Sequence, residues 1–492
     1  MSRRLELAGL PRPAEAPPTG TRVVLDLRPL QEPERTPLTA AYLERLIEAF
    51  ARDPVAGESF VAILRTLRPD PTDALEPLGL RMAGRRRVPP TARLFRATGL
   101  TIDSFLLRGA EVGSASGADR DGALGTVFHT AGGAVPLGSR LPVVATLLDL
   151  APWELPAVYA GSPAARFGHR LRARILRDAT RLIVCSEATA ESARRRIHIR
   201  RERIAVVPLA AGPAYTPDAG AEGRDAALRE RYGLPERYLA FAGRYDARKD
   251  LGTLFQALRA LREEGPPVAQ ATAGRRRGRS RTTPDARPGE PAAAVPSTGS
   301  AVPREASSAE GSGAAMAVAA VAVPEPAALP WPPVVVLVGT LGAGGDEADA
   351  LARAARRGGV ADLVRVLSGL SAAEIATLDA GAQAFVYPAI SEGAGLEVVE
   401  ALATGTPVVA SRVGPLPELV GSAGIIVEPR DPARLAVALR AIWGDTIRAP
   451  LARAARRRAV EERRTWADVA RETRAVYAAA AAEARGAGAE RG

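Results

Sequence analysis

Two short stretches carry the residues whose types and spacing suit chemistry. Residues 386–400 read Val-Tyr-Pro-Ala-Ile-Ser-Glu-Gly-Ala-Gly-Leu-Glu-Val-Val-Glu. The apolar run ending near Pro388 reads as a strand, Gly393 and Gly395 as a turn, and the residues from Gly395 onward as the start of a helix. The free amides of residues 393–396, at the positive end of that helix, would then form a cradle for an anion. Glu392 falls in the turn and Glu400 within the helix. An ionised carboxylate accepts hydrogen bonds from paired hydroxyls, so one suits sugar hydroxyls beside a phosphate and the other a ribose diol. The plainer structural reading is a surface turn and a solvated helix face.

The second stretch is Gly243-Arg244-Tyr-Asp-Ala-Arg248-Lys249-Asp250-Leu251. It reads as a strand end leading into a helix at the carboxyl edge of a sheet, where open α/β sheets bind ligands. Arg244, Arg248 and Lys249 offer guanidinium forks and an ammonium point charge. Such a set suits a diphosphate and would neutralise a departing one without a metal. The structural alternative is a charged loop capped by Asp250. Lys249 is the single lysine among 66 basic residues, and the chain has no asparagine. A position that keeps Lys where every other cation is Arg points to a role for the ammonium.

These stretches need a scaffold of alternating strands and crossover helices, and the sequence supplies one. Strands are predicted at residues 22–27, 60–64, 125–129, 142–149, 182–185 and 204–207, with helices over 39–50 and 164–179 among those between them. A second series follows at 238–243, 334–338, 364–367, 384–387, 407–410 and 424–427. The expected class is α/β, with two Rossmann-like, doubly wound domains: residues 1–215, and residues 216–465 interrupted by 263–330. That interruption is rich in Ala, Pro, Gly, Ser and Arg without periodicity, and is expected to be a disordered insertion. Residues 466–492 are expected to form a C-terminal helix returning to the first domain, and a tail.

Composition excludes several classes. The 492 residues suffice for two cores. No stretch approaches the ~20 apolar residues a membrane span requires. Residues 1–21 carry prolines where a secretory signal has its apolar core, so a cytoplasmic protein is expected. One cysteine, Cys185, and three histidines leave neither a disulfide framework nor a Cys- or His-based metal site. The net charge of +11 invites nucleic acid, but the arginine triplets are scattered and aromatics are only 4%, too few for base stacking. No nucleic-acid partner is expected.

Both stretches resemble the donor site of the GT-B glycosyltransferases, specifically the retaining glycosyltransferase family 4, also called glycosyl transferases group 1. Phe241-Ala-Gly-Arg-Tyr-Asp-Ala-Arg-Lys-Asp-Leu251 resembles the family's first C-domain strand and basic loop, and residues 391–400 match its Glu-x7-Glu signature. Residues 401–418 are equally typical, and Leu182-Ile-Val-Cys-Ser-Glu187 and Arg203-Ile-Ala-Val-Val-Pro208 are similar to the family's first half. The resemblance implies two Rossmann-like domains facing a cleft. It implies transfer of a hexosyl unit from a nucleotide-diphosphate sugar to a hydroxyl acceptor, a glycan, lipid or small molecule, with retention of configuration. Arg244 and Lys249 would bind the diphosphate, and Glu392 the sugar hydroxyls. The amides of Ala394, Gly395 and Leu396 would contact sugar or phosphate, Glu400 would hold the ribose, and the base would rest near Val366 and Leu367. No cofactor beyond the donor and no metal are implied.

Four positions depart from the family pattern. Thr146-Leu-Leu-Asp149 lacks the histidine common before that Asp, residues 28–37 lack the usual glycines, Ala394 replaces an aromatic, and Glu397 stands where proline is common. They motivate an alternative: a catalytically impaired GT-B protein that binds nucleotide sugar as a partner or scaffold. His129, ending the strand 125–129, has a cleft-facing reading and a structural one. Residues 339–345 (Gly-Thr-Leu-Gly-Ala-Gly-Gly) lack full dinucleotide-fingerprint spacing and read as a tight turn. The basic amphipathic helix at 166–177 has two readings, an apolar face packed on the sheet and peripheral contact with an anionic membrane.

Overall fold

The computed structural model describes residues 20–89, 107, 125–132, 135, 136, 138–220, 224–266, 330–339 and 345–489, all within one compact unit. The insertion expected at 263–330 therefore lies almost wholly outside the described residues. The same holds for residues 340–344 of the glycine-rich turn.

The first lobe contains β1 (Arg22–Asp26), α1 (Pro37–Arg52), β2 (Ser59–Arg65), β3 (Met82–Val88), β4 (Thr126–Ala131), β5 (Val143–Thr146), α2 (Pro163–Leu176), β6 (Arg181–Val184), α3 (Glu187–Ile197) and β7 (Ile204–Val206). Its strands form a parallel sheet in the order β3-β2-β1-β4-β5-β6-β7. Successive strand residues face opposite sides. Val23 and Leu25 join Tyr42, Leu46, Phe50, Val469 and Tyr477 in one core, whereas Val24 joins Ile175, Leu176, Ala190 and Ile197 in the other. Helix starts follow local chemistry: Pro37 opens α1, and the Ser186 hydroxyl accepts the Thr189 amide to cap α3.

The second lobe contains α4 (Arg224–Tyr232), β8 (Leu239–Ala242), α5 (Leu251–Glu264), β9 (Val335–Val338), α6 (Gly345–Arg357), β10 (Val364–Leu367), α7 (Ala372–Gly381), β11 (Ala384–Tyr387), α8 (Leu396–Ala403), β12 (Val408–Ser411), α9 (Leu416–Val420), β13 (Gly424–Val427), α10 (Pro432–Trp443) and α11 (Asp445–Glu461). Its parallel sheet runs β10-β9-β8-β11-β12-β13. In both sheets the strand order reverses beside the first strand, at β1/β4 and β8/β11, which places ligand crevices at the carboxyl ends of those strands. The last helix, α12 (Trp466–Ala489), packs on α1, β4, β5 and β6 of the first lobe.

Two elements differ from the sequence reading. β3 was not expected, because Met82-Ala-Gly-Arg-Arg-Arg-Val88 has no apolar alternation; as an edge strand it leaves Arg85, Arg86 and Arg87 exposed. The strand expected over 142–149 leaves the sheet after Thr146. There Asp149 Oδ1 accepts the Ala151 amide at 2.8 Å and turns the chain into a short helical segment, Ala151–Glu154.

Candidate active site

The two stretches meet. The Ile390 amide donates to the Arg248 carbonyl at 2.7 Å, tying the loop after β11 to the loop after β8. Gly395 caps α8 with φ +66°, a left-handed conformation, and an added Cβ would lie 2.5 Å from Leu419 Cδ1. That bend turns the amides of Gly393, Ala394 and Gly395 onto one point, 3.1, 3.2 and 3.0 Å away. The point is Glu392 Oε1, so the chain's own carboxylate fills the cradle expected for an external anion. The Leu396 amide is not among its donors, and the side chains of Ala394 and Leu396 pack into the first lobe's core alongside Leu148 and Trp466.

The other oxygen, Glu392 Oε2, accepts from Lys249 Nζ at 3.0 Å and from the Tyr387 hydroxyl at 2.8 Å. Lys249 ends a 3-10 turn, Ala247–Lys249, whose cap is Asp246, accepting the Arg248 amide at 2.9 Å, and not Asp250. Its ammonium lies 4.2 Å from the Tyr387 ring centroid and 3.3 Å from Glu397 Oε1, and the residue is 2% exposed. Burial opposes its charge, but Glu392 and then Glu397 outweigh that and raise its pKa. Burial likewise works against the Glu392 carboxylate, yet Lys249, Arg248 and the Gly395 amide hold its pKa below the ordinary value.

Glu400, on α8, is buried and pairs with Arg45 of α1 at 2.8 Å. Burial raises its pKa despite Arg45. Arg248 reaches Asp149 Oδ2 of the first lobe at 2.8 Å and Asp246 at 3.3 Å. Further bonds cross between the lobes: Ser391 Oγ to Glu154 Oε2 at 2.6 Å, Thr189 Oγ1 to the Gly393 carbonyl at 2.7 Å, and the Tyr159 hydroxyl to Asp246 at 3.1 Å. A Cβ on Gly393 would fall 2.3 Å from the Leu148 carbonyl oxygen, so only glycine permits this approach.

The remaining residues singled out by sequence lie apart from this cluster. Arg244 is exposed and makes no ion pair among the described residues. Val366 and Leu367 end the edge strand β10, half-buried. His129 is a core residue: Nε2 lies 2.9 Å from Thr146 Oγ1, Nδ1 2.6 Å from the Tyr477 hydroxyl, and burial depresses its pKa to about 3. Helix α2 buries Gly168, Ala173, Ile175 and Leu176, and presents Arg166, Phe167, Arg170 and Arg174 outward. Among the described residues no group of three or more His, Cys, Asp or Glu is arranged to hold a metal.

Three participants were missed in the sequence reading. Tyr387 and Arg45 gave no signal beyond a strand aromatic and one arginine among many. Glu397 reads from sequence as a replacement for a common proline, although a carboxylate one turn from Glu400 is a usable sign.

The Glycosyl transferases group 1 profile matches residues 314–445, and the Glycosyltransferase Family 4 profile residues 125–211. The MMP alpha-(1->4)-mannosyltransferase of Mycolicibacterium hassiacum is 44% identical over 124 residues, 24% of this chain and 30% of the relative. The D-inositol 3-phosphate glycosyltransferase of Salinispora arenicola is 30% identical over 292 residues, 58% of this chain and 52% of the relative. The match to Escherichia coli O-antigen chain mannosyltransferase B spans 23% of that protein, so the chain spans from under a quarter to about half the length of these relatives. Among solved structures, the sucrose-phosphate synthase of Thermosynechococcus elongatus superposes with TM-score 0.58 at 17% identity, covering 92% of this chain and 96% of that one. Anabaena HepE in complex with UDP-glucose gives TM-score 0.56 at 16% identity, covering 91% and 97%. With two parallel sheets and the coverage of these solved structures, the chain has the GT-B fold, and its two lobes carry regions that match the Glycosyltransferase Family 4 and Glycosyl transferases group 1 models.

Proposed function

We propose that the protein is a hexosyltransferase that moves a hexosyl unit from a nucleotide-diphosphate sugar to a hydroxyl acceptor with retention of configuration. The observation that carries this reading is the placement of Lys249 and Gly395 on the two oxygens of Glu392, with Glu400 farther along the same helix. A buried ammonium at the carboxyl edge of β8 is a fixed charge for a departing diphosphate, and acts strongly because water is excluded. Arg248 lies beside it, and Arg244, exposed on the same loop, would reach the diphosphate from solvent. Glu392, held in one orientation by three amides, sits where the sugar hydroxyls would lie. Glu400 would exchange Arg45 for the ribose diol, and the base would rest against Val366 and Leu367.

The names of the relatives, two mannosyltransferases and an inositol-phosphate glycosyltransferase, support hexosyl transfer, and the UDP and UDP-glucose complexes of HepE support a nucleotide-sugar donor. On the acceptor side the departing phosphate would take the acceptor proton on the face it leaves, so no Asp or Glu nucleophile is needed. No cofactor besides the donor enters the proposal, and a cytoplasmic setting is part of it. Peripheral contact with an anionic membrane through α2 is also proposed, on the strength of the outward Arg166, Phe167, Arg170 and Arg174. The test is calorimetric titration with UDP and GDP. Lys249→Ala and Glu400→Ala are expected to weaken binding, and binding equal to wild type in both would overturn the site.

A further inference from the structure

The charge balance around Lys249 is the reverse of what a cationic loop suggests. Two cations, Arg248 and Lys249, meet four carboxylates, those of Asp149, Asp246, Glu392 and Glu397. Each cation is shared by two of them, Arg248 by the aspartates and Lys249 by the glutamates. A diphosphate entering this cluster would meet an excess of negative charge, and like charges at such distances are strongly repulsive when partly desolvated. For the anion to reach the ammonium, one carboxylate must leave it.

The two candidates differ. Glu392 has a side chain only 3% exposed, and moving it would orphan three backbone amides as well as Lys249. Glu397 has a side chain 25% exposed, lies on the first turn of α8, and makes the longer contact, 3.3 Å against 3.0 Å. Its remaining partner is the Tyr387 hydroxyl, 3.0 Å from Oε2. That hydroxyl has one proton to donate and stands 2.8 Å from Glu392, so it keeps a full acceptor when Glu397 departs. Glu397 also lies over the backbone of Gly243, where an added Cβ would come within 3.1 Å of Oε1. It therefore covers the end of β8, on the path to the ammonium.

We infer that Glu397 is a displaceable counter-ion, which neutralises Lys249 in the free protein and is exchanged for the pyrophosphate of the donor. It sets donor affinity by competing with phosphate for the same ammonium. The inference deepens the donor-site reading and rests on it.

The experiment is calorimetric titration of the full chain with UDP, GDP and uridine, on wild type and on Glu397→Gln, Glu397→Ala and Lys249→Ala, with thermal unfolding to verify that each is folded. Removing the competing carboxylate is expected to tighten UDP or GDP binding by roughly tenfold in both Glu397 variants. Uridine, which carries no phosphate, is expected to bind all Glu397 forms alike. Unchanged or weaker diphosphate binding in both variants, together with loss of binding in Lys249→Ala, overturns the exchange while leaving the donor site standing. Equal binding by wild type and Lys249→Ala overturns the donor site itself, and the exchange with it.

Discussion

The ammonium of Lys249 lies 3.0 Å from Oε2 of Glu392, and neither side chain is more than 3% exposed. Breaking a buried pair costs more than the pair contributes, because the survivor is left charged and dry. Lys249→Met is therefore expected to destabilise the fold by about 3–5 kcal/mol. Lys249→Met combined with Glu392→Gln is expected to recover part of that loss. Urea unfolding of both singles and the double completes the cycle, and strictly additive losses would show that the pair is not coupled.

Gly393 is predicted to control closure of the lobes. With a methyl group 2.3 Å from the Leu148 carbonyl, Gly393→Ala cannot keep the observed approach. Either the lobes part, seen as a larger radius of gyration in solution scattering, or the fold loses about 1–3 kcal/mol to strain. An alanine variant with unchanged size and stability would contradict the contact.

His129 is predicted to make stability fall in acid. Its folded pKa is depressed from 6.5 to about 3 by burial, so between those values the unfolded chain binds a proton that the folded chain refuses. The stability contribution is complete above pH 6.5 and is lost as pH falls toward 3, with a slope approaching ~1.4 kcal/mol per pH unit. His129→Gln is expected to remove that part of the slope, read as the difference between the two unfolding-versus-pH curves.

Helix α2 is predicted to pellet the protein with anionic liposomes at low salt, with Phe167, 62% exposed, entering the interface. Phe167→Ser and charge removal at Arg166, Arg170 and Arg174 are each expected to reduce the bound fraction. Failure of wild type to pellet removes the membrane proposal.

The alternating strand pattern was legible because parallel strands buried on both faces read as apolar runs bounded by turns, as at residues 335–338 and 384–387. β3 was not, since an edge strand needs no apolar face and its Arg85-Arg86-Arg87 core reads as loop. Lys249 stood out by rarity, and Glu392 and Glu400 by spacing. What sequence could not show was that Glu392 would fill its own amide cradle, or that Arg45 would cross from the other lobe to Glu400. Both depend on side-chain direction and on tertiary approach, which local pattern does not encode. Tyr387 was hidden for the same reason: its ring belongs to a buried strand, and its hydroxyl matters only because the Glu392 and Glu397 carboxylates come within reach of it.

The placement of α12 has a mechanical consequence. The chain leaves the first lobe after β7 and comes back to it at Trp466, whose helix sets Trp466 against Tyr42 and Tyr477 against Phe50 in that lobe's core. Two covalent strands thus join the halves, like paired hinge pins on one door. A single cut in either connection therefore leaves the lobes tethered by the other.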